Sequence, residues 1–380
     1  MTKKKNFLTA KKIIVLSTCF LLNQNSYSLV NTRVQLTKKI SRSNHKQQSF
    51  YPSSFLTSQF SSWGISPSNV DNSINLLKAW KEFKRKKDVI VAVVDTGIDA
   101  NHPFLKSNLV KIKNVATHKM NYGMDFSKGA KNKYSPYDSH GHGTHVSGII
   151  KSILPDVRLL ELKYYNPQAS GQDNLDSTIA ALKYAVEQNV DIINYSGGGA
   201  EPAIEELRIL KQAERKGILV VAAAGNEQSN IDLKKNAYYP ASYGLSNIIS
   251  VTAYNQNMRM LNSSNYGKKS VDIFAPGYRI KSSLPNGRSG YLTGTSQATA
   301  FVTGVAAMLK SEFPNLKAKE LKKLINQSAK QISSFKNKCL TGGKLNAYAA
   351  IKLAKKLYSG IDISRKVATK TNRKKIFLMR

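Results

Sequence analysis

The sequence predicts an α/β fold: a mostly parallel β-sheet between two layers of helices, three layers (αβα) in all. Three observations carry this. Apolar, β-branched runs alternate with segments of helical periodicity, as a parallel sheet with crossover helices demands. The runs are continuously apolar rather than alternating, as strands buried on both faces should be. With 380 residues, 41% of them hydrophobic and 18 of them tyrosines, the chain is an ordinary globular one that can bury a large core.

In chain order, "VIVAVVD" (Val89–Asp95) is the first such run. "RLLELKYY" (Arg158–Tyr165), "VDIINYS" (Val190–Ser196), "GILVVAAAGN" (Gly217–Asn226), "NIISVTAY" (Asn247–Tyr254) and "VDIFAPG" (Val271–Gly277) follow. Between them, "DSTIAALKYAVEQN" starts on Asp and Ser and places Ile179, Leu182, Ala185 and Val186 at helical spacing. "EELRILKQAERKG" reads as a helix ending on a C-cap glycine, Gly217. No internal repeat is present, and residues 62–356 read as one domain.

The ends read differently. Residues 1–28 resemble an export signal: five lysines, then ten apolar residues, "IIVLSTCFLL", then small Ser26 and Ser28. The apolar run is too short to cross a bilayer, and no other segment is long and apolar enough, so the chain is expected to be exported, extracellular or periplasmic, and not membrane-spanning. Residues 29–61, rich in Ser, Asn, Gln and Lys, read as a linker or short pro-segment, and 357–380 as a basic tail. Loss of 1–28 takes Cys19 away and leaves Cys339 alone, so no intramolecular disulfide is expected. The formal charge of +35 falls to +30 with those five lysines. Such a charge predicts non-specific attraction to anionic surfaces, but no nucleic-acid module accompanies it, so no specific nucleic acid is expected.

In open parallel sheets chemistry collects at the carboxyl ends of the strands. Those ends present Asp95, Gly197–Gly199, Asn226 and Pro276. "YDSHGHGTHVSG" adds His140, His142 and His145, and "GTSQATAFVTG" opens a small-residue helix on Ser296. A neutral serine hydroxyl needs a base within reach, a histidine suits that role near neutral pH, and a buried carboxylate fixes the imidazole's tautomer. Taken singly, Asp95 reads as a cap, Ser296 as an N-cap and Asn226 as a turn residue; together they read as a catalytic set. The H-x-H-x-x-H spacing invites a zinc reading, but Asp138 and Ser139 make a poor fourth ligand, and no metal is expected.

At this point the chain resembles the subtilisin-like serine proteases (subtilases) over residues 62–356. "VVDTGIDANHP" resembles that family's aspartate motif, "HGTHVSG" its histidine motif and "GTSQATA" its serine motif, in the order Asp, His, Ser. "AAAGNE" resembles its oxyanion segment and "YSGGG" the segment that lines the specificity pocket. The resemblance implies a serine endopeptidase that forms an acyl-enzyme on polypeptide substrates without a cofactor. It assigns Asp95 as orienting acid, His142 as base, Ser296 as nucleophile and Asn226 as oxyanion donor. It implies an extended substrate between Ser196, Gly197 and Gly198 on one side and Ala169, Ser170 and Gly171 on the other. It makes His145 buried structure and His140 a loop residue. Tyr238 falls where many members keep a small residue at the pocket base, which implies a short pocket, and Glu227 near the rim implies a mild preference for a basic residue.

Departures from the family pattern are also visible. Gln297 stands where methionine is usual, Ala300 and Phe301 replace Pro and His, and Gly197 replaces leucine, which removes a wall of the pocket. The residue after His102–Pro103 is Phe104, which offers no oxygen where the family's strong calcium site uses an aspartate. No inhibitory pro-domain is recognisable in 29–61. Two other functions share the same residues: a silent fold used as a basic binding module, and a ligase that passes the acyl group to an amine.

Overall fold

The structure is a computed structural model that describes residues 51–113 and 120–358. The expected export signal, residues 29–50 of the expected linker, and 359–380 of the expected tail lie outside the described residues.

The elements in chain order are α1 (Leu76–Glu82), β1 (Ile90–Asp95), β2 (Ile112–Lys113), β3 (Met120–Asn121), β4 (Gly123–Asp125), α2 (His142–Ile153), β5 (Arg158–Lys163), α3 (Gly171–Glu187), β6 (Ile192–Tyr195), α4 (Ile204–Lys216), β7 (Leu219–Ala223), β8 (Ile248–Tyr254), β9 (Ile273–Pro276), β10 (Ile280–Leu284), β11 (Arg288–Leu292), α5 (Thr295–Glu312), α6 (Ala318–Gln327), β12 (Lys330–Gln331), β13 (Gly343–Lys344) and a last helix, α7, over residues 347–358. Nine strands form one sheet in the order β12-β13-β9-β8-β7-β6-β1-β5-β4. All neighbours pair in parallel except the edge pair β12 and β13.

Alternation along each strand divides the core between the two faces of the sheet. Val91 and Val93 of β1, with Leu159, Ile192, Val221 and Val251, pack under α2, α5, α6 and α7. Ala92 and Val94, with Leu160, Leu162, Ile193 and Val220, pack under α3 and α4. These are the three layers that the sequence predicts. Among the described residues no helix is long and apolar enough to cross a membrane.

Three features differ from the sequence reading. Residues 51–61 do not behave as a linker: Leu56 and Phe60 are buried, Tyr51 stacks on Phe83 at 6.2 Å and Phe60 on Phe104 at 4.7 Å. A polar average hid three aromatic anchors spaced four to five residues apart. Helix α3 starts at Gly171, well before the expected Asp176, because the Ser170 hydroxyl accepts the Asp173 N–H at 3.1 Å and caps it. Finally, β10 and β11 form a hairpin around Asn286 and Gly287, both with positive φ, an Asn-Gly turn signal that the strand pattern overlooked.

Candidate active site

The sheet's order turns at β1, which has β5 on one side and β6 on the other. The chain leaves the sheet in opposite directions at this place, which opens a crevice beyond the carboxyl ends. Asp95 ends β1 there, Ser196–Gly198 follow β6, and Asn226 lies three residues past β7. Helices α2 and α5 pack side by side on one face and point their amino ends at the same place, with His142 first in α2 and Ser296 second in α5.

Asp95 is 2% exposed. Its Oδ1 accepts the Thr96 N–H at 2.7 Å and faces His142 Nδ1 at 2.7 Å. Burial opposes a charged imidazolium, but the Asp95 charge and hydrogen bond, with Asp138 behind them, outweigh it and hold the His142 pKa above the ordinary histidine value. Asp138, which the sequence reading considered only as a poor metal ligand, organises the start of α2. It is fully buried; Oδ1 accepts from the Thr96 hydroxyl and the His140 and Gly141 N–H groups, and Oδ2 accepts from the Thr144 N–H and hydroxyl. An acid just before a glycine-opened helix is the signal that could have found it. Gly143 lets this turn approach β1: a Cβ there would lie 2.2 Å from the Gly97 carbonyl oxygen.

Ser296 is 7% exposed, and its hydroxyl donates to the Ser196 carbonyl at 3.0 Å. The Ser196 hydroxyl in turn donates to the Ser296 carbonyl at 3.3 Å. The serine is thus turned toward the Ser196 strand, and no hydrogen bond joins it to His142 in this state. Asn226 is exposed, and its Oδ1 accepts the Thr295 N–H at 3.0 Å and the Thr295 hydroxyl at 3.2 Å. Those donors fix the amide's orientation and leave its NH2 free as a donor beside the first turn of α5.

The other histidines separate cleanly. His145 is fully buried, with Nε2 at 2.9 Å from the Ile280 carbonyl of the hairpin; burial and the neighbouring His142 lower its pKa to about 4. His140 is exposed, edge-on to Tyr165. Among the described residues no group of three or more His, Cys, Asp or Glu could hold a metal ion.

The expected substrate-lining residues fare unequally. Among the described residues Gly197 and Gly198 make no hydrogen bond, while Gly199 pairs with Tyr239 in both directions. The wall expected to be lost at Gly197 is refilled: a Cβ there would lie 2.4 Å from the Tyr164 hydroxyl. Tyr238 packs against Gly198 and Gly225, where added Cβ atoms would lie 2.5 Å and 3.1 Å from its ring. Glu227 is turned back to accept from Asn265 Nδ2 at 2.5 Å. Ala169, Ser170 and Gly171 form a turn and the start of α3 rather than a strand. The Ala169 N–H donates to Asn166 and the Ser170 hydroxyl serves as the cap. Gln297, in place of methionine, is buried with its amide NH2 unpartnered.

Comparison with known proteins fits this arrangement. A model of the subtilase family matches residues 86–352. The major intracellular serine protease of Bacillus subtilis (strain 168) is 36% identical over 250 residues, 63% of this chain and 74% of that protein. The intracellular serine protease of Paenibacillus polymyxa is 38% identical over 235 residues, 60% of this chain and 68% of that protein. The crystal structure of a cold-adapted subtilisin-like serine proteinase superimposes with a TM-score of 0.57 at 26% identity, covering 68% of this chain and 88% of its own. The chain therefore belongs to the subtilase family and is a subtilisin-like serine endopeptidase.

Proposed function

We propose that this endopeptidase is exported and cleaves polypeptides through Asp95, His142 and Ser296. The observation that carries the reading is the 2.7 Å contact between Asp95 Oδ1 and His142 Nδ1, formed where the amino ends of α2 and α5 meet. Asp95 holds the ring with its Nδ1–H inward, so Nε2 is the free base. When a peptide enters, the Ser296 side chain leaves the Ser196 carbonyl, gives its proton to His142 and attacks the scissile carbonyl carbon. The Asn226 NH2 and the Ser296 N–H, in the first turn of α5, receive the oxyanion. His142 then protonates the departing amine, and water hydrolyses the acyl-enzyme by the same steps reversed.

The substrate pairs with the free backbone of Gly197 and Gly198, which supports an extended binding mode on that side. Export rests on the lysine-rich, apolar first 28 residues; two relatives bear the name intracellular, so the two compartments are to be told apart by fractionation. Labelling with a serine-directed fluorophosphonate tests the mechanism: the label is expected on Ser296, and its absence there, or its persistence in Ser296→Ala, overturns the assignment.

A further inference from the structure

Behind the Asp95–His142 pair lies a carboxyl group that hydrolysis does not use. Glu161, on β5, pairs in register with Val93 of β1, two residues before Asp95. It shares a strand face with Leu159, so it points toward α2. A Cβ on Gly143, the residue after His142, would lie 3.1 Å from Glu161 Oε1. The carboxyl group therefore lies directly under the turn that carries His142.

Glu161 is fully buried, and neither of its oxygens has a hydrogen-bond partner. Burial opposes its charged form more than the Gly97 N–H and the Ser147 hydroxyl favour it, and the Ser147 oxygen is itself unpartnered. The second oxygen of Asp95, Oδ2, is also buried and unpartnered. The charged groups facing Glu161 are both acids: Asp95 from β1 and Asp138 from the loop before α2. From β4 come Gly123, in register with Glu161, and Asp125, whose Oδ1 is taken by Ser127. Lys163, two residues along β5, directs its ammonium to the Tyr137 carbonyl. Helix α2 contributes His142, already engaged with Asp95. Burial, with the two aspartates, pushes the acid well above the ordinary carboxyl range.

We propose that Glu161 is a positioning residue for the Asp95–His142 pair: as an un-ionised acid it seats the first turn of α2 on β5, and losing its proton in alkaline solution unseats that turn and ends turnover. The physical reason is that, among the described residues, no cation meets a third negative charge behind Asp95 and Asp138, and burial outweighs what the Gly97 N–H and the Ser147 hydroxyl offer it. Hydroxide takes the proton, water must enter to solvate the carboxylate, and the Gly143 turn, the side that carries His142, gives way to it. The alkaline limit of the enzyme is then the titration of a residue that touches neither substrate nor nucleophile.

This rests on the triad reading above, and the experiment separates the two. The alkaline limb of kcat/KM is measured for the wild type, Glu161→Gln and Glu161→Ala. Both variants are expected to lose the titration, extending the limb upward by about one pH unit or more, tenfold in kcat/KM at a fixed alkaline pH. Glu161→Ala keeps this arm readable if the amide fails to fold. Limbs that coincide with the wild type overturn the proposal.

In a Ser296→Ala background the same substitution is followed by unfolding. A raised folded-state pKa means that, above the ordinary carboxyl range, the unfolded chain releases a proton that the folded chain keeps. Stability then falls as pH rises toward the raised value. The advantage of Glu161→Gln over Glu161 is therefore expected to grow with pH, and a pH-independent difference overturns the un-ionised acid. Residual activity in Ser296→Ala would remove the triad reading and leave this stability arm standing.

Discussion

The Tyr164 hydroxyl occupies the space that a side chain at Gly197 would fill, within 2.4 Å of where its Cβ would lie. Two strand ends on either side of β1 have thus exchanged volume: a tyrosine after β5 against a glycine after β6. Gly197→Ala is expected to destabilise by about 1–3 kcal/mol through overpacking. Tyr164→Ala in the same chain is expected to relieve most of that cost. Additive losses in a double-mutant cycle by thermal unfolding would show the two sites to be independent.

Tyr238 lies against Gly198 and Gly225, at the ends of the segments that flank Ser296. With Tyr238 at the pocket base, as the family resemblance implies, a side chain entering beside the nucleophile is expected to meet this ring, and cleavage after small residues is expected. Tyr238→Gly is expected to raise kcat/KM for large residues at that position by about tenfold or more, because each buried methylene is worth about 0.8 kcal/mol. A peptide-library profile of the wild type dominated by aromatic residues there would remove the idea.

The alanine variants of Ser296, His142 and Asp95 are each expected to lower kcat by about 10⁴-fold or more, with double variants little worse than singles, because the groups act as a unit. Asn226→Ala is expected to lose about 10²–10³-fold. His140→Ala should be mild. His145→Ala should lower stability more than chemistry, since its ring joins α2 to the hairpin. Steady-state kinetics beside unfolding curves check the set, and near-full activity in His142→Ala would sink the assignment.

Acid dependence follows from His142. Its folded-state pKa is raised, so the ring stays protonated, and useless as a base, to higher pH than an ordinary histidine. The acid limb of kcat/KM is expected above about 6.5, and Asp95→Asn should move the residual activity's limb downward. The same shift contributes stability below the unfolded value that is lost as pH rises through the folded one. His145 runs the other way: its pKa of about 4 means stability is lost as pH falls from about 6.5 toward that value.

Calcium is expected to matter little. Phe104, after His102–Pro103, packs against Phe55 and Phe60, and the Lys151 ammonium lies 4.6 Å from its ring centre. Helix α2 also runs from His142 to Ile153 and reaches β5 over a short turn. Thermal unfolding of Ser296→Ala with millimolar calcium and with a chelator is expected to differ by less than about ten degrees, several kcal/mol at this size. A larger drop on chelation would show a structural site.

The strands were legible because burial on both faces leaves unbroken apolar runs, and β1, β6 and β8 fall within two residues of the sequence reading at each end. Asp95, His142, Ser296 and Asn226 stand out as candidates in the sequence because each lies at or just past an element end. Glu161 was hidden inside "RLLELKYY": spacing marks the acid as buried but not what faces it. Asp138 was hidden because its partners, Thr96 and Thr144, come from two different elements. The exchange between Tyr164 and Gly197 depends on sheet order, β5-β1-β6, which sequence spacing does not encode.

The aromatic anchors at Tyr51, Phe55 and Phe60 have a consequence for the enzyme's lifetime. They cover Trp80, Phe83 and Phe104 in the wall of the main core. A cut anywhere between Tyr51 and Phe60, by this protease or another, would peel that cover away from these rings. Survival in a crowd of its own copies then depends on how seldom residues 51–60 lift off, so the opening that limits the enzyme's lifetime is expected there and not at its active-site cleft.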